Sequence, residues 1–447
     1  MNALWRILFG IYRAVSWLRY VAVRRFTRAG LVMLAALVVS AMIGVDMDNT
    51  VAYKAFAVIV CMLVSAVFFG WFFRGRFLAS RQLPRFATVG SPFEYPVVIL
   101  NHTRQNQAGL VLIEDMADPR PAFEEWKAIQ LVEQRTARSL RFSNRQRSNP
   151  FKLSAVKEVA IPPLPPNGEV EVRVEVTPLR RGVLRYRGIT VARADPLGLF
   201  RALAKCSLPD GALILPKRYA LPPIALPGAM KYQEGGVALA SNVGQSEEFV
   251  ALRDYRWSDP LRHIHWRSWA KTGRPIVKEF ADEFFVRHAL VLDTFNDDPY
   301  SEAFEEAVSV AASFACTIQT QESLLDLLFV GAEAYCFTAG RGLAHTDQML
   351  EILASVRVCT EKPFEILESL VLNHANNVSG CVCVLLAWDR PRRAFVEKLK
   401  GLGVPVMVVV ILASAPVTPL EPGPMENEPD RFHTLVMGRI EEGLAGL

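Results

Sequence analysis

No Asp or Glu occurs before Asp46, and none of the 447 residues builds a familiar catalytic signature. There is no H-E-x-x-H, no G-x-S-x-G, no P-loop and no Gly-rich dinucleotide loop. Zinc-protease, serine-hydrolase, nucleotide-hydrolysing and dinucleotide-dependent chemistry therefore lose their usual sequence support. Histidine is scarce, at seven residues. The seven cysteines form no C-x-x-C pair, and their odd number suits buried thiols in a reducing compartment better than a disulfide scaffold. Cys381 and Cys383 flank Val382 in an apolar run and are expected on one strand face, without ligand-spaced neighbours for a metal. The net charge of +5 is too small for a global nucleic-acid argument, and acids interrupt the basic residues of 246–275.

Where acids are missing, arginines and long apolar runs take over. GLVMLAALVVSAMIGV (30–45) carries no charge, and TVAYKAFAVIVCMLVSAVFFGWFF (50–73) carries only Lys54. About 20 apolar residues cross a bilayer core, so the two runs, joined by the short acidic turn DMDN, are expected as a transmembrane helical hairpin over 30–73. Arg13, Arg19, Arg24, Arg25 and Arg28 precede it, and Arg74, Arg76, Arg81 and Arg85 follow. The positive-inside rule then places both flanks in the cytoplasm, giving a multi-pass protein of the cytoplasmic membrane with most of its chain inside the cell. The opening segment, 1–29, reads either as an interfacial helix on the inner leaflet or as a cytoplasmic extension of the first span.

Between 86 and 205, short alternating runs such as EVEVRVEVTP and GVLRYRGITVAR, punctuated by turn residues, predict a β-sandwich of immunoglobulin-like size. PAFEEWKAIQLVEQ interrupts it with helical spacing. Arg135, Arg138, Arg141, Arg145 and Arg147 follow, in a solvated insertion or against anionic lipid. DPLGLF ends the sandwich with a turn, and a Pro-rich connector covers 206–245. Over 286–413 continuous apolar runs (HALVLDTF, LLDLLFVG, CVCVLLAW, VPVMVVVIL) alternate with helical patterns, which predicts an α/β domain with a parallel sheet covered on both faces. A Pro-rich linker and a last helix are expected over 414–447. With 447 residues the chain is long enough for two to four such domains.

The segment 246–285 is the densest. SEEFVALRDYRWSDPLRHIHWRSWAKTGRP interleaves three tryptophans with six basic and four acidic residues. It resembles the signature of the domain-of-unknown-function 58 family, in Glu248, Phe249, Leu252, Arg253, Tyr255, Asp259, Arg262, Ile264, Trp266 and Ala270. RRG followed by DPLGLF upstream, and the two apolar runs, resemble the same family's other hallmarks. Ser258 departs from the pattern, standing where glycine is usual, as does Trp269, standing where serine is common. The resemblance implies a membrane-anchored, cytoplasm-facing protein with a von Willebrand factor A-like α/β domain and a MoxR-type AAA+ ATPase as partner. It implies no reaction. Metal-binding A domains carry D-x-S-x-S after their first strand. Here the text is Asp293-Thr294-Phe295-Asn296-Asp297, in which Phe295 cannot coordinate, and Thr346 and Asp389 are remnant candidates for the other metal loops.

Three roles compete for the signature segment. In the first, Arg253 or Arg262 pairs bidentately with Asp259 or Glu248 beneath Trp266, as a polar lock. In the second, Trp257, Arg256, Arg267 and Trp269 form a docking surface, since Trp, Tyr and Arg are enriched at interface hot spots. In the third, His263 and His265 with Asp259 serve catalysis or a metal. The expected function is a non-enzymatic membrane adaptor or scaffold working with the ATPase in complex assembly or envelope maintenance. Glu248, Arg253, Tyr255, Trp257, Asp259, Arg262 and Trp266 are its lock or docking residues. No cofactor is expected in that reading. The alternative is a Mg²⁺-dependent binder of adhesion type built on Asp293, and an enzyme is the third choice.

Overall fold

A computed structural model describes residues 2–43, 50–73, 75–117, 120–138, 151–222, 249–257, 259, 261–280, 286–318, 323–340, 346–416 and 419–447. The expected turn 46–49, Arg74, Arg141, Arg145, Arg147, Glu248 and Ser258 lie outside these residues. The chain divides into two compact units, residues 1–217 with 353–355, and residues 218–352 with 356–447.

The first unit opens with helices α1 (Asn2–Arg25), α2 (Arg28–Ile43) and α3 (Thr50–Trp71). Val51–Trp71 is long and apolar enough to cross a membrane, while α2, at 16 residues, is shorter than a full span. Strands follow as β1 (Phe77–Arg81), β2 (Phe86–Thr88), β3 (Phe93–Asn101) and β4 (Leu110–Met116). After helix α4 (Phe123–Arg138) come β5 (Ser154–Val156), β6 (Val159–Ile161), β7 (Glu169–Pro178), β8 (Gly182–Ala194) and β9 (Arg201–Leu215). They form two sheets, ordered β1-β3-β7-β5 and β2-β9-β8-β4-β6. Alternation decides their faces. In β7, Val172, Val174 and Val176 are buried while Glu169, Glu171 and Arg173 are exposed. Tyr95, Val97 and Ile99 of β3, Leu110 and Leu112 of β4, Leu184 and Ile189 of β8 and Ile214 of β9 share one core with them, so the two sheets pack face to face.

The DPLGLF turn has a larger role than ending a strand. Asp195 accepts backbone N–H groups from Leu197, Leu199 and Phe200 at 2.6–2.8 Å, which holds the turn rigid. The turn then pushes Leu199 among Leu63 and Ala66 of α3 and Met33, Leu34 and Leu37 of α2. Thr27 donates its N–H to the Leu199 carbonyl at 3.1 Å and caps α2 by accepting from the Gly30 N–H at 3.1 Å. Gly30 is required there, because a Cβ would sit 2.0 Å from the Leu199 carbonyl oxygen. We expect Gly30→Ala to destabilise the docking of the helix pair by roughly 1–3 kcal/mol, the usual cost of overpacking. Gly10→Ala, with nothing within 4 Å, should be neutral or stabilising. Thermal scans of the detergent-solubilised chain compare the two.

The second unit begins with a hairpin of β10 (Phe249–Asp254) and β11 (Ile276–Phe280), enclosing helix α5 (Trp266–Thr272). The α/β part runs β12 (Val286–Leu292), α6 (Glu302–Thr317), β13 (Ser323–Val330), β14 (Ala334–Ala339), α7 (Thr346–Ser355) and α8 (Glu365–His374). It continues with β15 (Gly380–Leu385), α9 (Arg390–Gly401), β16 (Val406–Leu412), β17 (Phe432–Val436) and α10 (Ile440–Ala445). The sheet order is β14-β13-β12-β15-β16-β17, parallel throughout except for β14. All eight residues of β13 and all six of β15 are buried, which fits runs without polar alternation; the one acid, Asp326 of β13, is neutralised by Arg287 at 2.6 Å. In the tail, where a Pro-rich linker and a last helix were expected, Phe432–Val436 adds a sixth strand beside β16, and the last α-helix is the short Ile440–Ala445.

Cys359, Cys381 and Cys383 are buried, and Cys381 and Cys383 share a strand face with their sulfurs 3.5 Å apart. The expectation of buried thiols fails for Cys61, Cys316 and Cys336, which are exposed. Cys61 lies on the apolar helix α3, where exposure means exposure to whatever surrounds that helix.

Candidate functional site

Two places concentrate chemistry. The first is the turn between β10 and α5. Arg253, at the end of β10, sends both guanidinium nitrogens to the Asp259 carboxylate, Nη1 to Oδ2 at 2.6 Å and Nη2 to Oδ1 at 2.8 Å. Asp259 Oδ2 also accepts the Arg256 N–H at 2.7 Å, and the Asp259 N–H returns to the Arg256 carbonyl at 2.9 Å. These reciprocal bonds close the turn 256–259 and place Trp257 at its tip, 98% exposed. Behind it Tyr255 is half-buried, and its N–H reaches the Pro275 carbonyl.

Of the four pairings open in the sequence, the described residues show Arg253 with Asp259, with the Arg253 side chain about a third exposed rather than buried. Arg262 is exposed, and Glu248 lies outside the described residues. Trp266 does not cover a guanidinium among the described residues. It is 63% exposed and stacks on Trp269, with ring centroids 5.2 Å apart and planes 18° apart. Leu261 and Trp266 thus share the exposed surface of this segment with Trp257, and Arg256, Arg262, Arg267, Lys271 and Arg274 are exposed in the same segment. His263 ends a short 3₁₀ turn, while His265 bonds Ser268 through Nδ1 at 2.6 Å. Among the described residues no group of three or more His, Cys, Asp or Glu side chains is placed to hold a metal ion.

Hydrogen bonds from Arg253 hold the Asp259 carboxyl down to about 2, from an ordinary 3.8. A depressed carboxyl contributes stability that is present above 3.8 and is lost as pH falls towards 2. We expect the Trp257 turn to loosen over that interval, seen as a change in tryptophan emission that Asp259→Asn abolishes.

The second place is the carboxyl end of β12 and β15, the point where the strand order reverses and where open α/β sheets place their ligands. Asp293 follows β12 and is fully buried. Its Oδ1 accepts the Phe295 N–H at 2.9 Å, and its Oδ2 accepts the Leu386 N–H at 3.0 Å and Nε of Arg392 at 2.6 Å. Arg392, in the first turn of α9, also donates to Asp389 Oδ2 at 2.7 Å and to the Phe295 carbonyl at 3.1 Å, and lies over the Phe364 ring. Burial would lower its pKa, but Asp293 and Asp389 outweigh that and raise it.

Asp389 therefore meets Asp293, as the remnant reading expected, but through a guanidinium. Thr346 opens α7 and is not among the side chains that meet Asp293 in the described residues. Phe295, in place of a coordinating serine, packs its ring edge-on to Phe364. These residues do not fit a divalent ion: both Asp293 oxygens are taken, and a fixed cation already neutralises them. Residue spacing gave no sign of Arg392. The available signal was electrostatic, since α9 starts with Arg390, Arg392 and Arg393 where helix dipoles favour acids.

A family model described as protein of unknown function DUF58 matches residues 251–376, which contain the Arg253–Asp259 turn and Asp293. The match identifies residues 251–376 as a DUF58 segment. The uncharacterized protein YeaD of Bacillus subtilis (strain 168) is 28% identical over 184 residues, 40% of this chain and 44% of the relative. The chain thus matches less than half of that relative's length. Among solved structures, the CARDB domain of a Pyrococcus furiosus protein aligns over 30% of the chain and 96% of its own, at 12% identity and a TM-score of 0.15. Salmonella alpha-2-macroglobulin aligns over 38% of the chain and 9% of its own, at 14% identity and a TM-score of 0.19. Neither likeness is close enough to inform the function of this chain.

Proposed function

We propose that this chain is a membrane-anchored, cytoplasm-facing adaptor that docks an AAA+ ATPase of MoxR type through the Trp257 turn. The observation carrying the reading is that turn. A bidentate ion pair and two backbone bonds fix a tryptophan that is 98% exposed, in a segment that also exposes Leu261, Trp266 and several arginines. A rigid, exposed aromatic costs little entropy to bury, and Trp with Arg is the usual composition of an interface hot spot. The lock and docking roles divide between residues: Arg253 and Asp259 shape the turn, and Trp257 and Trp266 meet the partner. The ATPase itself comes from the family resemblance, and the basic surroundings fit an acidic patch on it.

Within this reading α2 and α3 are two passes of one hairpin in the cytoplasmic membrane. The paired sheets are an immunoglobulin-like spacer, and the 286–447 sheet is a von Willebrand factor A-like domain. Its support is the strand order with one antiparallel edge and the buried aspartate after the first strand. Nothing at Asp293 favours the Mg²⁺-dependent alternative.

The test is affinity capture from gently cross-linked native membranes, comparing wild type with Trp257→Ala and Arg253→Ala. An AAA+ ATPase should accompany wild type. Trp257→Ala should lose it at unchanged melting temperature, and Arg253→Ala should lose it with a loosened turn. Absence of any AAA+ ATPase from the wild-type sample would sink the partner assignment.

A further inference from the structure

Helix α1 is not a continuation of α2. The helical bonding of α1 ends with Phe26 donating to the Ala22 carbonyl at 2.9 Å, and Thr27 then caps α2 as a separate helix. Two attachments hold α1. At its C-terminal end Arg24 pairs with Asp115 of β4, and Arg25 lies over the Phe200 ring. Along one flank Trp5, Phe9 and Tyr12 pack against Phe123 and Trp126 of α4, with centroids 5.4–5.8 Å apart.

Those attachments leave a different stripe uncovered. Leu4, Ile7, Leu8, Ile11, Val15 and Leu18 recur at spacings of three and four and are exposed, most of them by more than half. Arg6, Arg13 and Arg19 are exposed on the same helix, as are Trp17 and Tyr20, and residues 2–25 contain no acid. An apolar stripe with arginines and interfacial aromatics, free of acids, is the composition of a helix lying in a headgroup layer. The stripe leads into α2 and α3, whose Val32, Val38, Val58 and Val64 are also exposed.

We propose that α1 is a lipid-binding shelf: it lies in the plane of the bilayer surface, its stripe among the acyl chains and its arginines on anionic phospholipid headgroups. α4 clamps the flank of α1, so the shelf holds the paired sheets against the bilayer. A second copy of the chain is disfavoured as the occupant, because it would bring the exposed Arg6, Arg13 and Arg19 against their like, with no acid on either helix. This inference rests on α3 being a membrane span.

The experiment uses the full chain, with its exposed native cysteines replaced, in phosphatidylcholine nanodiscs with and without phosphatidylglycerol. Nitroxides are placed at Val15→Cys on the stripe, Arg13→Cys off it and Val58→Cys on α3. Collision with oxygen should dominate at 15 and 58, and collision with a water-soluble nickel chelate at 13. Phosphatidylglycerol should shift position 15 further towards oxygen. If 15 is as open to nickel as 13 while 58 stays in lipid, the shelf is wrong and the span stands. Spin–spin broadening at 15 would mean a second copy covers the stripe and would overturn the lipid assignment. Nickel access at 58 would overturn the span and the shelf together.

Discussion

Arg392→Ala lowers the stability of the second unit by about 3–5 kcal/mol, the cost of leaving one partner of a buried ion pair alone. In a unit of this size that is a fall of roughly 10 °C in its melting transition. The magnitude follows from what stays behind. Asp293 has no exposed surface, and two backbone N–H groups cannot replace the cation that neutralises it. Asp389 is the lesser loss, because its side chain is nearly half exposed and water can solvate it. Arg392→Lys should recover only part of the deficit, since an ammonium cannot meet Asp293, Asp389 and the Phe295 carbonyl with one planar fork. Adding Mg²⁺ or EDTA should leave the wild-type transition where it is. A wild-type shift with Mg²⁺ that Asp293→Asn removes would show that a metal displaces Arg392, and the reading of that site would be wrong. Calorimetry of the solubilised chain follows both units together, which matters because a two-unit chain has no single unfolding free energy.

The same residues mark where sequence reasoning stopped. Elements with a strong local period were legible: the alternation of EVEVRVEVTP became β7, and the unbroken CVCVLL became β15. The bidentate Arg253–Asp259 pair was legible only as one of four possible pairings, because its partners lie six residues apart but Arg262 and Glu248 were also near in sequence. Arg392 and Asp293 are 99 residues apart, and only the sheet's crossover brings them together. Two strands were missed for local reasons. AYCFTA, now β14, begins with three exposed residues, and FHTLV, now β17, is five residues behind a Pro-rich break. DPLGLF is a turn as expected, but it leads into β9 rather than ending the sandwich, so 206–215, expected as connector, is strand paired along β8. The turn's insertion of Leu199 between α2 and α3 is a tertiary contact that no spacing encodes.

The paired sheets should show a second effect as large, with a pH signature that separates its two halves. Arg81 and Glu114 are bonded at 2.7 Å with both side chains fully buried. Tyr95 donates to the other carboxylate oxygen at 2.8 Å, and the Arg81 guanidinium lies 4.4 Å from the Tyr186 ring centroid. Burial pushes the Tyr186 hydroxyl up to about 12 and holds Tyr95 well above its usual value, so both tyrosines stay neutral. Burial also raises the Glu114 carboxyl, and Arg81 only partly opposes it. A carboxyl raised on folding contributes stability that is full below its unfolded pKa, near 4.5, and is lost as pH rises through the folded value. Arg81→Ala removes the opposing cation, so Glu114 rises further. The variant should lose about 3–5 kcal/mol at pH 8 and recover part of it by pH 5, where the carboxyl takes a proton. Glu114→Gln should lose a comparable amount with little pH dependence, because the stranded guanidinium cannot discharge in that range. Urea unfolding of both variants at pH 5 and pH 8 decides the matter. Equal pH slopes in the two would mean that some other group, such as Asp210 at 4.0 Å from Arg81 Nε, carries the titration, since the Glu114 carboxyl is present only in Arg81→Ala.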